Sequence, residues 1–217
     1  MSASRNLRKA PGALTPGAVA SVLALVAAGC GSSGSSVSQH AMAPHHHMPS
    51  HSESMTHSTA AFGADCSMVP ASGMGSFHTM SMEPVVTAAS HNPLLTGFAA
   101  AARRAGLTAQ LDSLRGITVF APENSAFTKV SGSAMTMLEH SASLAEILRY
   151  HVVSGHETAA DLARGMALKT LEGSTVRPSK MGAVYEVNNA HVICGNIQTA
   201  NATVYIIDTV LMPMHMH

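Results

Sequence analysis

The sequence predicts one α+β domain, preceded by a long segment that does not fold. Three observations lead there. After the apolar run that ends at Ala28, the chain is Gly/Ser-rich over 31–38 and His/Met-rich from His40 to His57, where it has no hydrophobic period, and its character changes at about Glu83. Beyond it, apolar residues first recur at helical spacing. After Met166 they recur at period two. Helices early and strands late, over roughly 130 residues, suit a single compact α+β unit.

Within the domain, Asn92-Pro93 reads as an N-cap with proline at the first helical position. Leu94, Leu95, Phe98, Ala101, Ala102 and Ala105 then fall on one helical face that stops at Gly106. Ile117–Ala121 is a short β-prone run ended by Pro122. Ser143-Leu144-Ala145-Glu146 has the pattern of a capping box, and Leu144, Ile147, Leu148 and His151 follow at helical spacing. A short helix is expected over Thr158–Arg164, with Asp161 in its first turn and Gly165 as its stop. The segments 167–171, 174–177, 184–187, 191–194 and 203–211 read as strands separated by Gly, Asn and Pro turns.

The composition narrows function. Twelve basic and twelve acidic residues leave no formal net charge, which argues against electrostatic nucleic-acid binding. Aromatics make up 4% with no Trp, so stacking platforms for single strands are not expected. No G-x-S-x-G elbow and no H-E-x-x-H pair occurs, and no nucleophile has an evident partner, so the chain is read as non-catalytic.

Residues 1–29 read as an export signal. Arg5, Arg8 and Lys9 precede an apolar run from Gly17 to Ala28, too short for the roughly 20 residues that span a bilayer. The run closes in Ala27-Ala28-Gly29-Cys30, which resembles a bacterial lipobox with Ala27 where Leu is usual. Cys30 is therefore the expected lipidation site. The alternative is simple secretion after cleavage near Ala28. An unmodified Cys in an exported tail would be a reactive liability, which favours lipidation. The expected location is extracytoplasmic, on the membrane by the lipid anchor only. With Cys30 modified, Cys66 and Cys194 remain as an even pair in an oxidising compartment, to be bridged or left as two free thiols.

Residues 30–62 are expected to be a disordered tether, with Gly/Ser linker composition over 31–38. Between His40 and His57, six of eighteen residues are His and three are Met. That segment buries too little apolar surface to offset its ordering entropy. Imidazole binds copper, zinc and nickel, and thioether sulfur favours Cu(I). His40, Met42, His45, His46, His47, Met48, His51, Met55 and His57 are thus candidate ligands for copper or zinc. The tail residues Met214, His215, Met216 and His217 join them. The bland alternatives are an uncharged spacer and a spacer that extends as His protonates near pH ~6.5. No cofactor is required by any motif. Residues 63–82 read as an extension carrying Cys66, in which 73–82 continues the Met/His theme thinly.

Three ordered motifs carry a resemblance. Thr118-Val119-Phe120-Ala121-Pro122-Glu123-Asn124-Ser125-Ala126-Phe127, then Leu148-Arg149-Tyr150-His151-Val152-Val153, then Thr203 to Pro213 together resemble the signatures of the fasciclin-like domain. Glu123 stands where that family usually has Thr. The stretches 84–93 and 187–190 resemble the secreted and surface-lipoprotein antigens of mycobacteria and related actinobacteria. The resemblance implies a wedge-shaped β-sandwich flanked by helices over 83–213. It implies a disulfide between Cys66 and Cys194, and an adhesion or matrix-binding role toward an extracellular or envelope protein or glycan. A monomer is expected. Phe120, Pro122, Asn124, Phe127, Tyr150, His151 and Asp208 are the motif residues to follow. Phe120 and Phe127 are expected as core anchors. His151 is expected to close the apolar stripe, hydrogen-bonded inside. Asp208 should bond a backbone group or a turn, and the broken alternation beside it suggests a bulge.

Overall fold

The computed structural model describes residues 60–214. The 3₁₀ turn Ala64–Met68 is followed by α1 (Phe77–Met82), α2 (Val85–His91), α3 (Thr96–Arg104) and α4 (Thr108–Ser113). Next come β1 (Ile117–Pro122), α5 (Asn124–Thr128), α6 (Ser133–Glu139), α7 (Ser141–Tyr150), β2 (Val152–Ser154) and α8 (Ala159–Ala163). The rest is β: β3 (Leu168–Lys169), β4 (Thr175–Val176), β5 (Pro178–Met181), β6 (Val184–Val187), β7 (Ala190–Gln198) and β8 (Ala202–Ile207). Six strands form one curled sheet in the order β2-β1-β8-β7-β6-β5, and β3 and β4 form a separate ribbon.

The pleat explains why β1 and β8 are buried at every position. They pair in parallel, Val119 opposite Val204 and Phe120 opposite Tyr205. Ile117, Val119 and Ala121 with Ala202, Val204 and Ile206 face a core shared with α2, α3 and α7. Phe120, Tyr205 and Ile207 face a second core with Val187, Val192 and the ribbon residues Leu168 and Val176. Strands buried on both faces lose a polar face and read as continuous apolar runs. The curled sheet and the ribbon enclose the second core together with Leu162 of α8 and Tyr150 at the end of α7, while α2, α3 and most of α7 cover the other face of the sheet.

The sequence reading needs several corrections. The helix after Asn92-Pro93 starts at Thr96. Asn92 Oδ1 accepts the Leu94 N–H at 2.9 Å and so closes a turn ahead of it. Ser143 does not cap α7. That helix starts at Ser141, because His140 already accepts the Leu144 N–H at 2.9 Å, and Ser143 lies in its first turn. By contrast Thr158 and Asp161 form a reciprocal capping box on α8. β8 ends at Ile207, and the irregular register belongs to its partner β7, between Val192 and Cys194 and between Cys194 and Ile197.

The two boundaries drawn at 62 and 82 also move. Phe62 already pairs with Gly195 on β7, its N–H donating at 3.1 Å and its carbonyl accepting at 2.7 Å. Residues 77–82 form α1, whose Met80 is fully buried. A thin Met/His composition hid the docking of this segment, in which Phe77 packs against the same core as Met80. Cys66 and Cys194 are bridged, 128 residues apart, and the bridge holds the 3₁₀ turn against β7.

Candidate interaction surface

The polar motif residues are taken up by the fold. α7 ends at Tyr150, and His151 follows as its C-cap with no exposed surface. The His151 ring bonds the Ile147 carbonyl through Nδ1 at 2.8 Å and accepts the Leu211 N–H on Nε2 at 3.0 Å. A backbone N–H can only donate, so the proton sits on Nδ1 and the ring is neutral. Burial pushes its pKa down to about 4, against the pull of the Ile147 carbonyl. No lone pair is left for a substrate. Tyr150 is equally committed: its hydroxyl donates to the Thr175 carbonyl at 3.1 Å and accepts from Asn188 Nδ2 at 2.9 Å.

Asp208 bonds backbone, as expected. Oδ1 accepts the His191 N–H at 2.9 Å and the Thr209 hydroxyl at 3.0 Å. Burial disfavours its charge, yet these hydrogen bonds and the neighbouring His191 ring hold its carboxyl below the usual range. Asn124 pins the start of α3. Its Oδ1 accepts the Gly97 N–H at 2.8 Å, and its Nδ2 donates to the Pro93 carbonyl at 2.7 Å. Pro122 is buried at the end of β1. Phe120 lies inside the second core, whereas Phe127 is only half-buried beside the helices.

A groove of about 750 Å³ is open to solvent. One wall is the arm from Ala60 to Ala64, held to β7 by the Phe62–Gly195 pairing and the disulfide. The other wall is the β5–β6 hairpin. The Phe62 and Tyr185 rings meet across it at 4.7 Å, and Lys180 Nζ stands 4.8 Å from the Tyr185 ring centroid. His191 lies at the rim between Glu186, 3.0 Å away, and Asp208, 3.2 Å away. At the hairpin tip Met181 is 74% and Val184 46% exposed. Sequence reasoning missed this groove because 60–62 carried tether composition and Pro178 and Lys180 hid β5. The arm needs Gly63: its φ is 125°, and a Cβ there would sit 2.2 Å from the Ile193 carbonyl oxygen.

Cys30 and the tract residues His40 to His57 lie outside the described residues, as do His215, Met216 and His217. Met214 is exposed. Among the described residues no group of three or more His, Cys, Asp or Glu could hold a metal ion.

Residues 93–213 match the family model of the fasciclin domain. The chain belongs to the fasciclin domain family. The fasciclin resemblance carried by the three motifs thus holds. The chain is 43% identical over 151 residues to the immunogenic protein MPB70 of Mycobacterium bovis, covering 65% of this chain and 75% of that one. It is 40% identical over 151 residues to the cell surface glycolipoprotein MPB83 of the same species, covering 65% and 66%. Its fold is similar to a FAS1 domain pair from the insect cell adhesion molecule fasciclin I. That match has a TM-score of 0.54 at 17% identity and covers 63% of this chain and 53% of that one. The chain therefore spans about half of that two-domain structure. Among the described residues no helix is long and apolar enough to cross a membrane.

Proposed function

We propose that this fasciclin-family chain is a surface-exposed lipoprotein, anchored through Cys30, whose domain docks on an extracellular or envelope protein or glycan without catalysis. One contrast supports this reading. The polar motif residues Tyr150, His151 and Asp208 are consumed by structural hydrogen bonds, while the groove and the hairpin tip present apolar surface to solvent. Exposed apolar surface beside a concavity is where a partner gains most from desolvation. The experiment displays the exported chain on beads and measures adhesion to cells and envelope preparations. The double variant Met181→Glu, Val184→Glu loses at least tenfold in adhesion while melting like the parent. Equal adhesion by that folded variant contradicts the reading.

A second reading rests on the sequence from His40 to His57, where His and Met are concentrated. There the tract binds copper or zinc and the domain is its carrier. Deletion of residues 40–57 separates the two readings. Under the first, adhesion survives the deletion. Under the second, bound copper and copper tolerance fall while adhesion is irrelevant.

A further inference from the structure

Among the described residues, eight large hydrophobic side chains are exposed, and seven of them are methionine. The eighth is Val184. The core is built the opposite way, from Leu, Val, Ile, Ala and Phe, with Met80 its one fully buried methionine. Met137 and Met212 are half-buried. The exposed methionines keep to the margins of the fold. Met68, Met82 and Met181 are the last residues of the 3₁₀ turn, α1 and β5. Met74 lies in a turn, Met166 just after one, and Met214 follows the last strand. Only Met135 stands inside an element, on α6, where it is 37% exposed.

We propose that these methionines form an oxidant-consuming surface, whose substrates are two-electron oxidants such as hydrogen peroxide, alkyl hydroperoxides and hypochlorous acid. The thioether sulfur attacks the terminal oxygen of the peroxide. The O–O bond breaks, an S–O bond forms, and the released hydroxide takes the remaining hydroxyl proton. Each methionine becomes a sulfoxide, oxidised by two electrons, and each hydrogen peroxide becomes water. With hypochlorous acid the sulfur attacks chlorine and releases hydroxide, water then displaces chloride, and the same sulfoxide forms with HCl as the other product.

The placement makes this chemistry harmless to the fold. A sulfoxide is polar, so it disrupts a packed core but is hydrated at an exposed site. The buried sulfur of Met80 is enclosed and accepts a hydrogen bond from Asn92 Nδ2 at 3.2 Å. Competing sinks are few among the described residues. Cys66 and Cys194 are already oxidised to a disulfide, and the chain has no Trp. Methionine sulfoxide reductases reverse the step, so the surface can be recharged.

The test titrates the full chain with hydrogen peroxide and maps oxidised methionines by peptide mass. The exposed methionines become sulfoxides first, Met80 stays reduced, the melting temperature holds, and mixed reductases A and B restore the mass. Oxidation of Met80 in step with the exposed set, or a fall in melting temperature as that set oxidises, overturns the proposal. A second measurement mixes the chain with a methionyl peptide and limiting hypochlorous acid. Replacing the seven exposed methionines by Leu lowers the dose that half-oxidises the peptide by about seven equivalents per chain. An unchanged dose with a folded variant also overturns it.

Discussion

His151 Nε2 accepts the backbone N–H of Leu211 at 3.0 Å, joining the end of α7 to the segment that follows β8. That bond requires the neutral ring, because a protonated imidazole has no acceptor. The pKa lowered to about 4 by burial is the thermodynamic face of the same arrangement.

The first prediction is a pH dependence. The unfolded His151 titrates near its ordinary value of 6.5 and the folded one near 4. Between those values the unfolded chain binds a proton that the folded chain does not. The contribution is therefore complete above about pH 6.5 and is lost progressively as pH falls toward 4. It amounts to about 3 kcal/mol. Chemical denaturation at pH 7 and pH 4.5 measures the loss. His151→Gln has lower stability at pH 7 but a flatter profile across that window. Parallel profiles for the two proteins rule the account out.

The disulfide supplies a second prediction. Cys66 and Cys194 close a 128-residue separation and hold the arm that walls the groove. Cys66→Ser with Cys194→Ser should cost about 2–4 kcal/mol, within the range for a long loop. Hydrogen exchange at the Phe62 and Gly195 amides should accelerate, since those bonds lose their covalent neighbour. Unchanged exchange there would show that the pairing holds the arm without help from the bridge.

The apolar run of β1, the short helix α8 with Asp161 in its first turn, and the buried stripe ending at His151 were legible, whereas β8 read as a half-buried strand and is buried on both faces. In each case the signal lies within a few residues. The start of α2 was not legible, for the opposite reason. Pro84 offers that helix no side-chain cap. Its first N–H groups are instead satisfied across the fold, Val85 by Asn201 Oδ1 and Val86 by Asp112 Oδ1, both at 2.8 Å. Asn201 also donates to the carbonyls of Leu111 and Leu114, so one buried side chain orients two helices. Partners 116 residues apart leave no local pattern. The groove escaped for the same reason, because its two walls come from 60–64 and 180–193.

Asn124 yields a prediction in which one exposed side chain has a structural effect. The first N–H groups of a helix lack intrahelical partners. Asn124 serves the Gly97 N–H from another element and returns a bond to the Pro93 carbonyl. Asn124→Ala should cost about 1–3 kcal/mol, while Asn124→Asp, which keeps the acceptor, should cost less. Equal losses in urea denaturation would assign the effect to the Pro93 bond instead.

The anchor is tested apart from the domain. If Cys30 carries lipid, the acyl chains hold the exported chain on the membrane, since the h-region is too short to span it. Cys30→Ala should then move the protein from the membrane fraction into the medium. The released domain should keep its disulfide and its melting temperature, because Cys66 and Cys194 pair without Cys30. Fractionation with immunoblotting measures the first outcome and thermal denaturation the second. Retention of Cys30→Ala on membranes at the parent's level would mean that something other than a lipid on this residue holds the chain there. A released but destabilised protein would mean instead that Cys30 contributes to the folded domain.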